Sequence, residues 1–335
     1  MRRPPIIDLH EDLCLYYSSP QAEGAELDLS VDSSGREADL PKYARANVRL
    51  VFASVTTLFR TLSTKYNEKR QVLVPRASKE LLFEHLSIYY RLSRLYGMEI
   101  VKTSRDAERL LHFPEARPPG LLLHLEGADA LDSPYDLEIL HGAGVRSLGL
   151  QWNHDNKYGS GCFSRRDRGL TGEGEELVAE ANRLGVIIDV AHSSKKTALE
   201  VLEVSRRPVI ISHANVRAIV DSPRNVDDEV LEALSSRGGV IGVSLIDSMV
   251  KPGGRSTVDD VIKHFVYIYE RFGPDVLAIG TDYFGLRRAE IPRGLETVDS
   301  LPLLFERLAE AGLKDSDLEK VAYGNALRVI RENLG

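Results

Sequence analysis

Histidine and carboxylate side chains alternate at the end of the first apolar segment of the chain. Ile6 and Ile7 lead directly into Asp8, His10 and Asp12. Because successive side chains of a β-strand point to opposite faces, a strand here would place the last three on one face. Imidazole and carboxylate groups are ligands of zinc and similar ions. The segment therefore predicts half of a metal site, against the alternative of a strand end with solvated charges.

Side chains of the same kinds follow four later apolar segments. Together with the first segment they form a set of three histidines and three carboxylates: His10, Asp12, Glu126, His192, His213 and Asp282. Nitrogen and oxygen donors in this combination suit zinc or a similar transition metal. Six candidates exceed what one tetrahedral ion needs, so a two-metal site bridged by Glu126 is the more economical interpretation.

Each member of this set also has a structural alternative. A lone histidine at a strand end is often only hydrogen-bonded, Glu126 could cap a helix, and Asp282 could form an Asx turn before Gly285. Recurrence at one topological position favours the metal interpretation. His124 shares the segment of Glu126 and is expected to pack or to support a ligand. Four further histidines are expected to be solvated: His85, His112, His141 and His264.

Eight short apolar segments must position these side chains. They occupy residues 6–13, 47–55, 121–127, 145–150, 186–192, 208–213, 239–246 and 276–282. Such near-continuous apolar strands suit a sheet buried on both faces, and alternation with helices implies parallel pairing. The pattern predicts an α/β fold of the (β/α)8 TIM-barrel type, with residues 1–335 as a single domain. An open doubly wound sheet is the alternative, disfavoured because no G-x-G-x-x-G follows the first segment.

The intervening segments carry apolar residues at helical spacing. The expected helices span 67–96 (as one helix or two), 171–184, 195–205, 227–237 and 258–272, with two more near 297–312 and 315–333. Gly185 is placed to end the helix that precedes it. In a parallel barrel the carboxyl ends of all strands open on one face, where active sites lie. We therefore expect the six candidate ligands to converge.

Composition excludes several classes of protein. The net charge of −7 and the absence of a Lys/Arg block argue against a nucleic-acid binder. Only two cysteines, Cys14 and Cys162, occur, without CxxC spacing, which favours a reducing compartment. No stretch approaches the roughly 20 apolar residues of a membrane helix. Asp8 and His10 interrupt the apolar run behind the basic N-terminus, which therefore cannot serve as a signal peptide. A cytoplasmic protein without a membrane partner is expected.

Taken as an ordered set, the motifs resemble the membrane (renal) dipeptidase family, peptidase family M19, from one end of the chain to the other. The matching segments are 8–13, 125–127, 169–171, 188–194, 208–213, 224–226, 280–282 and 324–329. The resemblance implies a (β/α)8 barrel that hydrolyses dipeptides by a metal-bridging hydroxide. It also implies two zinc ions per chain, although other divalent transition metals stay open. A homodimer is typical of the family.

Motif positions assign a role to each candidate ligand. The resemblance implies that His10 and Asp12 bind one zinc, that His192 and His213 bind the other, and that Glu126 bridges the two. Glu126 would thereby take part in catalysis as well as in metal binding.

Further residues match the substrate-handling positions of the family. Arg224 would hold the terminal carboxylate of the substrate, a role that suits a guanidinium fork. Asp282 would orient the nucleophilic water and pass its proton to the leaving amine. Two departures occur. Trp152 stands where many members have a substrate-contacting histidine, with His154 two positions on as a substitute, and Phe284 replaces the second carboxylate of an Asp-x-Asp-Gly segment.

These departures leave the small-molecule substrate open. The leading hypothesis is a zinc-dependent dipeptidase for small substrates with a free carboxylate, including those with a C-terminal D-residue. A metal-dependent deacylase or amidohydrolase of another small carboxylate-bearing amide is the second. The third is a barrel without catalysis that serves as a metal-binding or structural subunit.

Overall fold

Ten strands are present in the computed structural model, which describes residues 4–18, 26–62, 73–112, 117–285 and 291–335. In chain order they are β1 (Ile6–Glu11), β2 (Val48–Thr56), β3 (Leu58–Leu62), β4 (Leu73–Ala77), β5 (Gly120–Glu126), β6 (Val145–Gly149), β7 (Ile187–Asp189), β8 (Ile210–Ala214), β9 (Val240–Val243) and β10 (Leu277–Ile279). Eight of them close into a barrel in the order β1-β10-β9-β8-β7-β6-β5-β2. All neighbouring barrel strands are parallel. The predicted (β/α)8 barrel is thus confirmed, and each predicted apolar segment supplies one of its strands.

Helices surround this barrel. They are α1 (Leu13–Ser18), α2 (Leu40–Ala46), α3 (Lys79–Tyr96), α4 (Ser104–Leu111), α5 (Asp136–Gly142), α6 (Gly172–Leu184), α7 (Lys195–Val204), α8 (Asp228–Ser236), α9 (Asp247–Val250), α10 (Val258–Phe272), α11 (Leu301–Glu310), α12 (Asp315–Glu319) and α13 (Asn325–Leu334). Gly185 ends α6 in the left-handed conformation, with φ of 73°, as predicted. Among the described residues, no helix is long and apolar enough to cross a bilayer.

The helix expected over residues 67–96 is shorter than predicted. Residues 73–77 form β4, which pairs antiparallel with β3, and the helix begins only at Lys79. Pro75 lacks the amide hydrogen that a helix interior requires, and the Ser78 side chain accepts a hydrogen bond from the Leu81 amide as an N-cap. Residues 67–72 lie outside the described part of the chain.

Apolar side chains fill the barrel below its polar strand ends. Most of this inner cluster comes from the barrel strands, and α13, α4 and the residue Val101 before α4 contribute the rest: Ile7, Leu9, Leu50, Phe52, Val101, Ala107, Leu110, Leu122, Ile187, Ile210, Val240, Ala278, Ala326, Leu327, Val329 and Ile330. A larger apolar layer separates the outside of the barrel from the surrounding helices. Close-packed layers of this kind hold the strand ends, and therefore the polar side chains on them, in fixed positions.

Glycines allow three neighbouring strands to approach one another closely at the carboxyl side of this cluster. A Cβ added to Gly242 would lie 2.1 Å from the carbonyl oxygen of Ser212, and one added to Gly280 would lie 1.9 Å from the same oxygen. Both contacts are with backbone, which cannot move aside as a flexible side chain could. The barrel therefore needs glycine at both positions.

We expect Gly242→Ala to lower the free energy of unfolding by about 3 kcal/mol or more, because the added methyl overpacks the barrel wall. Urea denaturation measures the change. Gly142→Ala is the matched control, since no atom lies within 4 Å of the added methyl. A Gly242→Ala protein as stable as the control variant would show that the strands can move apart without a loss of folding stability.

Candidate active site

Carboxylates from three strand ends surround the ring of His10. Its Nε2 atom lies 3.6 Å from Asp12 Oδ2, 3.6 Å from Glu126 Oε1 and 3.8 Å from Asp282 Oδ1. All four side chains are buried. Strand ends that are separated by most of the chain therefore meet at one point, as the parallel barrel predicts.

Two more histidines complete the cluster. His192 Nε2 lies 3.0 Å from Glu126 Oε1 and 3.0 Å from His213 Nε2, and His213 Nε2 lies 3.7 Å from the same Glu126 oxygen. Glu126 therefore contacts His10 on one side and the His192–His213 pair on the other. The structure brings all six predicted donor side chains together, with Glu126 at the centre.

The donor groups fit a divalent metal. Two overlapping triads have their donor atoms within 4.8 Å of one another, one formed by His10, Glu126 and His213 and the other by His10, Asp12 and Asp282. Both ring nitrogens of His10 are fully buried, yet neither has a hydrogen-bond partner among the described residues. A buried imidazole without such a partner is costly unless another group, such as a metal ion, takes its lone pair.

The electrostatics of the cluster also favour a bound cation. Burial by itself lowers the pKa of His10, but Glu126, Asp12 and Asp282 outweigh it and raise this pKa to about 10. Burial raises the pKa of Glu126, and the neighbouring Asp12 carboxylate raises it further. Burial also raises the pKa of Asp282, which His10 opposes. Three buried carboxylates repel one another more than the nearby histidines compensate, and a bound metal ion would supply the additional positive charge.

Hydroxyl groups hold the carboxylate and histidine donors in place by hydrogen bonds. Thr56 Oγ1 donates to Glu126 Oε2 at 2.9 Å and lies 3.1 Å from Asp12 Oδ1. Ser212 Oγ lies 2.5 Å from Asp189 Oδ2 and 2.8 Å from His213 Nδ1. If Ser212 donates to Asp189, it accepts the Nδ1 proton of His213, so that Nε2 presents a lone pair to the centre of the cluster.

Asn153 gives His192 the same kind of support, and the sequence analysis missed it. Its Oδ1 atom lies 2.9 Å from His192 Nδ1, and its backbone has a left-handed φ of 63°. The loop is held there because Phe163 N donates to Asn153 O at 2.8 Å and Cys162 N donates to His192 O at 2.9 Å. A polar residue directly after a strand end was the available signal, and asparagine tolerates left-handed backbone better than most residues.

Arg224 lies beside the histidine pair, in the place predicted for a substrate-binding group. Its Nη2 atom lies 3.2 Å from His192 Nε2. Its Nη1 atom donates a hydrogen bond to the carbonyl oxygen of Ala191, and Nη2 donates one to the carbonyl oxygen of His213. The neighbouring Asn225 side chain anchors the loop by donating to Val220 O at 3.0 Å. The guanidinium is thus held at the rim of the donor cluster by backbone contacts.

A strained turn presents Asp282 to the cluster. Asp282 and Phe284 both have left-handed backbone, with φ of 65° and 67°. A Cβ at Gly285 would lie 2.3 Å from Asp12 Oδ2 and 2.4 Å from Asp282 Oδ1, so the turn needs glycine there. Phe284 is buried in the apolar core, with its ring 5.8 Å from that of Tyr16. Left-handed bulky residues are costly and concentrate at functional sites.

The two remaining candidates lie on the loop after β6. The half-buried Trp152 stacks on His192, with ring centroids 5.9 Å apart and 30° between the planes. His154 has its ring 6.1 Å from that of Phe163. Among the described residues, no contact joins His154 to the six donor side chains, so its role as a substitute histidine stays a prediction.

Other predictions for single residues had mixed outcomes. His85 and His264 were expected to be solvated and are buried, so that prediction was wrong for both. Val216 N donates to His264 Nδ1 at 3.1 Å, and Nε2 of the same ring contacts Val250 O at 2.9 Å. Both contacts arise from segments distant in the chain, which helix periodicity does not report.

Asp8 and His124 support the site from outside the ligand set. Asp8 lies deeper in β1 than His10 and Asp12 and belongs to neither donor triad. The Asp8 carboxylate instead accepts from Thr281 N at 2.9 Å and Thr281 Oγ1 at 2.6 Å. His124 has Nδ1 2.9 Å from Ser147 Oγ, which agrees with the packing or supporting role expected of it.

Comparisons with known proteins agree with this geometry. A model of the family described as "Membrane dipeptidase (Peptidase family M19)" matches residues 1–334. Dipeptidase tcpJ of Claviceps purpurea is 32% identical over 268 residues, which cover 77% of this chain and 61% of that protein. An uncharacterized dipeptidase of Schizosaccharomyces pombe is 28% identical over 342 residues, covering 99% of this chain and 82% of that protein.

A solved structure shares the fold. The metallo peptidase of Rhodobacter sphaeroides, liganded with a phosphinate mimic of the dipeptide L-Ala-D-Ala, has a TM-score of 0.83, 21% sequence identity and coverage of 99% of each chain.

A parallel barrel with histidines and carboxylates buried together at its carboxyl end defines a metal-dependent hydrolase. Within that class, the chain belongs to the membrane dipeptidase family, peptidase family M19. The resemblance found in the sequence motifs is confirmed.

The contact between Asn153 and His192 generates a prediction about metal retention. Asn153→Gly keeps the left-handed backbone and removes only the amide, so we expect metal affinity to fall about 10- to 100-fold, as for other groups that orient ligands. Competition with a chelator, followed by metal analysis, measures it. Asn153→Asp keeps an acceptor for Nδ1–H and should retain more metal than the glycine variant. Equal metal retention in Asn153→Gly and the unmodified chain would show that Asn153 does not contribute to metal binding.

Proposed function

We propose that the chain is a zinc-dependent dipeptidase that binds two zinc ions and hydrolyses small peptides with a free carboxylate, including those with a C-terminal D-residue. The observation that carries the proposal is the buried cluster of three histidines and three carboxylates, with Arg224 at its rim. Nitrogen and oxygen donors together suit zinc better than magnesium or calcium, which prefer oxygen alone. The membership in a dipeptidase family supports the same reaction.

In this proposal two ions share the donors. His10 and Asp12 would hold one zinc, His192 and His213 the other, and Glu126 both, since its Oε1 atom lies within 3.7 Å of all three histidines. Zinc at such a site polarises the scissile carbonyl and lowers the pKa of a water molecule towards neutrality. Thr56, Ser212 and Asn153 hold the donors in place, so that little reorganisation is needed on metal binding.

Asp282 would transfer the proton, and Arg224 would bind the substrate. The Asp282 carboxylate lies against His10 inside the cluster, at hydrogen-bonding range of a water placed among the donors. It is therefore positioned to take a proton from that water and to give it to the amine that leaves. Arg224 can bind a carboxylate with two parallel hydrogen bonds, which would fix a short substrate by its C-terminus.

Metal dependence is the first test. Removal of metal with a chelator should abolish dipeptide hydrolysis, and two equivalents of zinc should restore it. His192→Ala should lose at least about 100-fold in kcat/KM, because a lost ligand removes several kcal/mol of charge stabilisation. His112→Ala, which changes an exposed histidine after α4, is the matched control. Full activity in metal-free protein would overturn the proposal, and metal analysis with one zinc per chain would overturn the two-ion part of it.

Trp152 favours a second candidate function, hydrolysis of an N-acyl amino acid or another small carboxylate-bearing amide. Its indole covers His192, where many members of the family have a histidine that contacts the substrate. An aromatic ring offers an apolar surface for an acyl group, and indole, unlike histidine, has no nitrogen lone pair to accept a hydrogen bond from the free amine of a dipeptide.

A substrate panel separates the two functions. L-Ala-L-Ala, L-Ala-D-Ala, N-acetyl-L-alanine and N-acetyl-D-alanine should be compared by kcat/KM with zinc-loaded enzyme. Because a dipeptidase needs the free amine, we expect turnover of the dipeptides to exceed that of the N-acetyl compounds by about tenfold or more. Turnover of only the N-acetyl compounds would assign the second function, and Trp152→His would then be expected to increase turnover of the dipeptides.

The cytoplasmic assignment remains a proposal. It depends on the two cysteines, of which Cys14 is buried and Cys162 half-buried, and both are free thiols. A protein without disulfides is compatible with a reducing compartment.

A further inference from the structure

Residues 215–227, between β8 and α8, form the loop that carries Arg224, and we call them the Arg224 loop. The loop is closed at its base, where Val226 N donates to Asn215 O at 2.8 Å. Its tip is at the surface, since Pro223, directly before Arg224, is exposed. The place of the guanidinium at the rim of the donor cluster therefore depends on contacts between this loop and the rest of the protein.

Asn225, directly after Arg224, fixes the tip of the loop. Its Nδ2 atom donates to Val220 O within the loop at 3.0 Å and to Met249 O in α9 at 2.9 Å. The Asn225 side chain is buried, which strengthens these hydrogen bonds relative to hydrogen bonds in water. The backbone beside Arg224 is thereby tied to α9.

His264 ties the beginning of the loop to the same helix. Its ring belongs to α10 and is fully buried, Nδ1 accepts from Val216 N at 3.1 Å, and Nε2 lies 2.9 Å from Val250 O. An amide N–H only donates and a carbonyl only accepts, so both contacts require the neutral ring with its proton on Nε2. Burial lowers the pKa of His264 and so favours that neutral ring.

Both ties end on neighbouring carbonyl groups of α9. This helix is a single turn, Asp247–Val250, and the last four carbonyls of a helix have no partner within it. Asp247 holds α9 to the chain that follows, because its Oδ1 atom accepts from Ser256 N at 2.8 Å. Asn225 and His264 thus anchor both ends of the Arg224 loop on one fixed turn.

We propose that His264 is a positioning residue for Arg224. Through Val216, and together with Asn225, it holds the Arg224 loop so that the guanidinium is set for a substrate carboxylate. Recognition by two parallel hydrogen bonds tolerates little displacement, and a shift of about 1 Å can cost on the order of 100-fold in rate. The inference rests on the proposed function, because it requires Arg224 to bind the C-terminus of the substrate.

The contacts of His264 favour this role over a purely structural one. Satisfying the carbonyls of α9 requires only a donor, which the Nε2 proton supplies to Val250 O. The Nδ1 contact serves the loop instead, since Val216 lies at its beginning. Because the two contacts join the loop to α9 through one rigid ring, loss of either one frees the loop to move.

Two substitutions of His264 separate its two hydrogen bonds. In His264→Gln the amide reaches the position of Nε2 and keeps a donor for Val250 O, but no acceptor is left for Val216 N. In His264→Asn the carbonyl oxygen lies near the position of Nδ1 and keeps that acceptor. With zinc-loaded enzyme, we expect His264→Gln to raise KM for L-Ala-L-Ala about tenfold with kcat within about threefold, and His264→Asn to stay within about threefold in both.

A double-variant cycle shows whether the effect passes through Arg224. L-Ala-L-alaninamide lacks the terminal carboxylate, so the ratio of kcat/KM for L-Ala-L-Ala to that for the amide measures carboxylate selectivity. Arg224→Met should lower this ratio by about tenfold or more, and His264→Gln should lower it by about threefold to tenfold. In the Arg224→Met background His264→Gln should lower it no further, because both substitutions remove the same interaction.

Hydrogen exchange reports on the loop without substrate. In zinc-loaded protein, amides of residues 215–227 should exchange about tenfold faster in His264→Gln than in the unmodified chain, and His264→Asn should restore their protection. His85→Gln is the matched control, since His85 is also buried but lies on α3, which packs against β2. This control should leave KM, carboxylate selectivity and loop exchange unchanged.

A second variant covers the case in which His264→Gln does not fold, as checked by circular dichroism. Asn225→Ala removes both hydrogen bonds that the Asn225 side chain donates, and it should give the same rise in KM. An unchanged KM in the folded variants, or a further loss of selectivity in the Arg224→Met background, would overturn the positioning role and leave the dipeptidase proposal intact.

Failure of the proposed function would look different. Unchanged selectivity in Arg224→Met would overturn the substrate role of Arg224 and the positioning role with it. Absence of turnover for both substrates would overturn the proposed function, and loop exchange in His264→Gln would still decide whether His264 holds the Arg224 loop.

Discussion

Six ionisable side chains are buried together at one end of the barrel, and the surrounding structure must compensate the cost of that burial. Charged groups removed from water are costly unless they are paired, hydrogen-bonded or bound to metal. Three carboxylates and three histidines partly compensate one another through Glu126, which contacts all three rings. The hydroxyls of Thr56 and Ser212 and the amide of Asn153 hold these groups from behind. A cation completes the balance of charge.

The barrel backbone has local features that this cluster demands. Gly242 and Gly280 let β8, β9 and β10 approach one another closely at Ser212, which precedes His213. Gly285 leaves the space that the Asp12 and Asp282 carboxylates occupy. Glycine at these positions costs conformational entropy, and the left-handed Asp282 adds strain. The closed, densely packed barrel supplies the stability that allows such residues to persist at the site.

Departures from the family pattern concentrate on the substrate side of the cluster rather than on the metal side. Every predicted metal donor is present and buried, whereas Trp152 replaces a histidine and Phe284 replaces a carboxylate. Phe284 packs into the apolar core against Tyr16, so its effect is on the shape of the strained turn. Trp152 lies on His192, beside the proposed substrate site. Chemistry can be retained while selectivity changes, because metal donors are buried in the barrel and selectivity residues lie on its loops.

The barrel and the convergence of the six candidate donors could both be predicted from the order of residues in the chain. Alternating apolar strands and helices are local patterns, and in a closed parallel sheet they imply that His10 and Asp282, at opposite ends of the chain, converge. The orientation of the donors could not be predicted in this way, because it depends on contacts between distant segments. Asn153 and His192 are 39 residues apart, and Val216 and His264 are 48 apart. Such contacts depend on which loops pack together, and a local pattern of residue types carries no record of that. The same reason explains why strand β4 was mistaken for helix, since its pairing with β3 is a contact with another segment of the chain, whereas its apolar spacing is compatible with either structure.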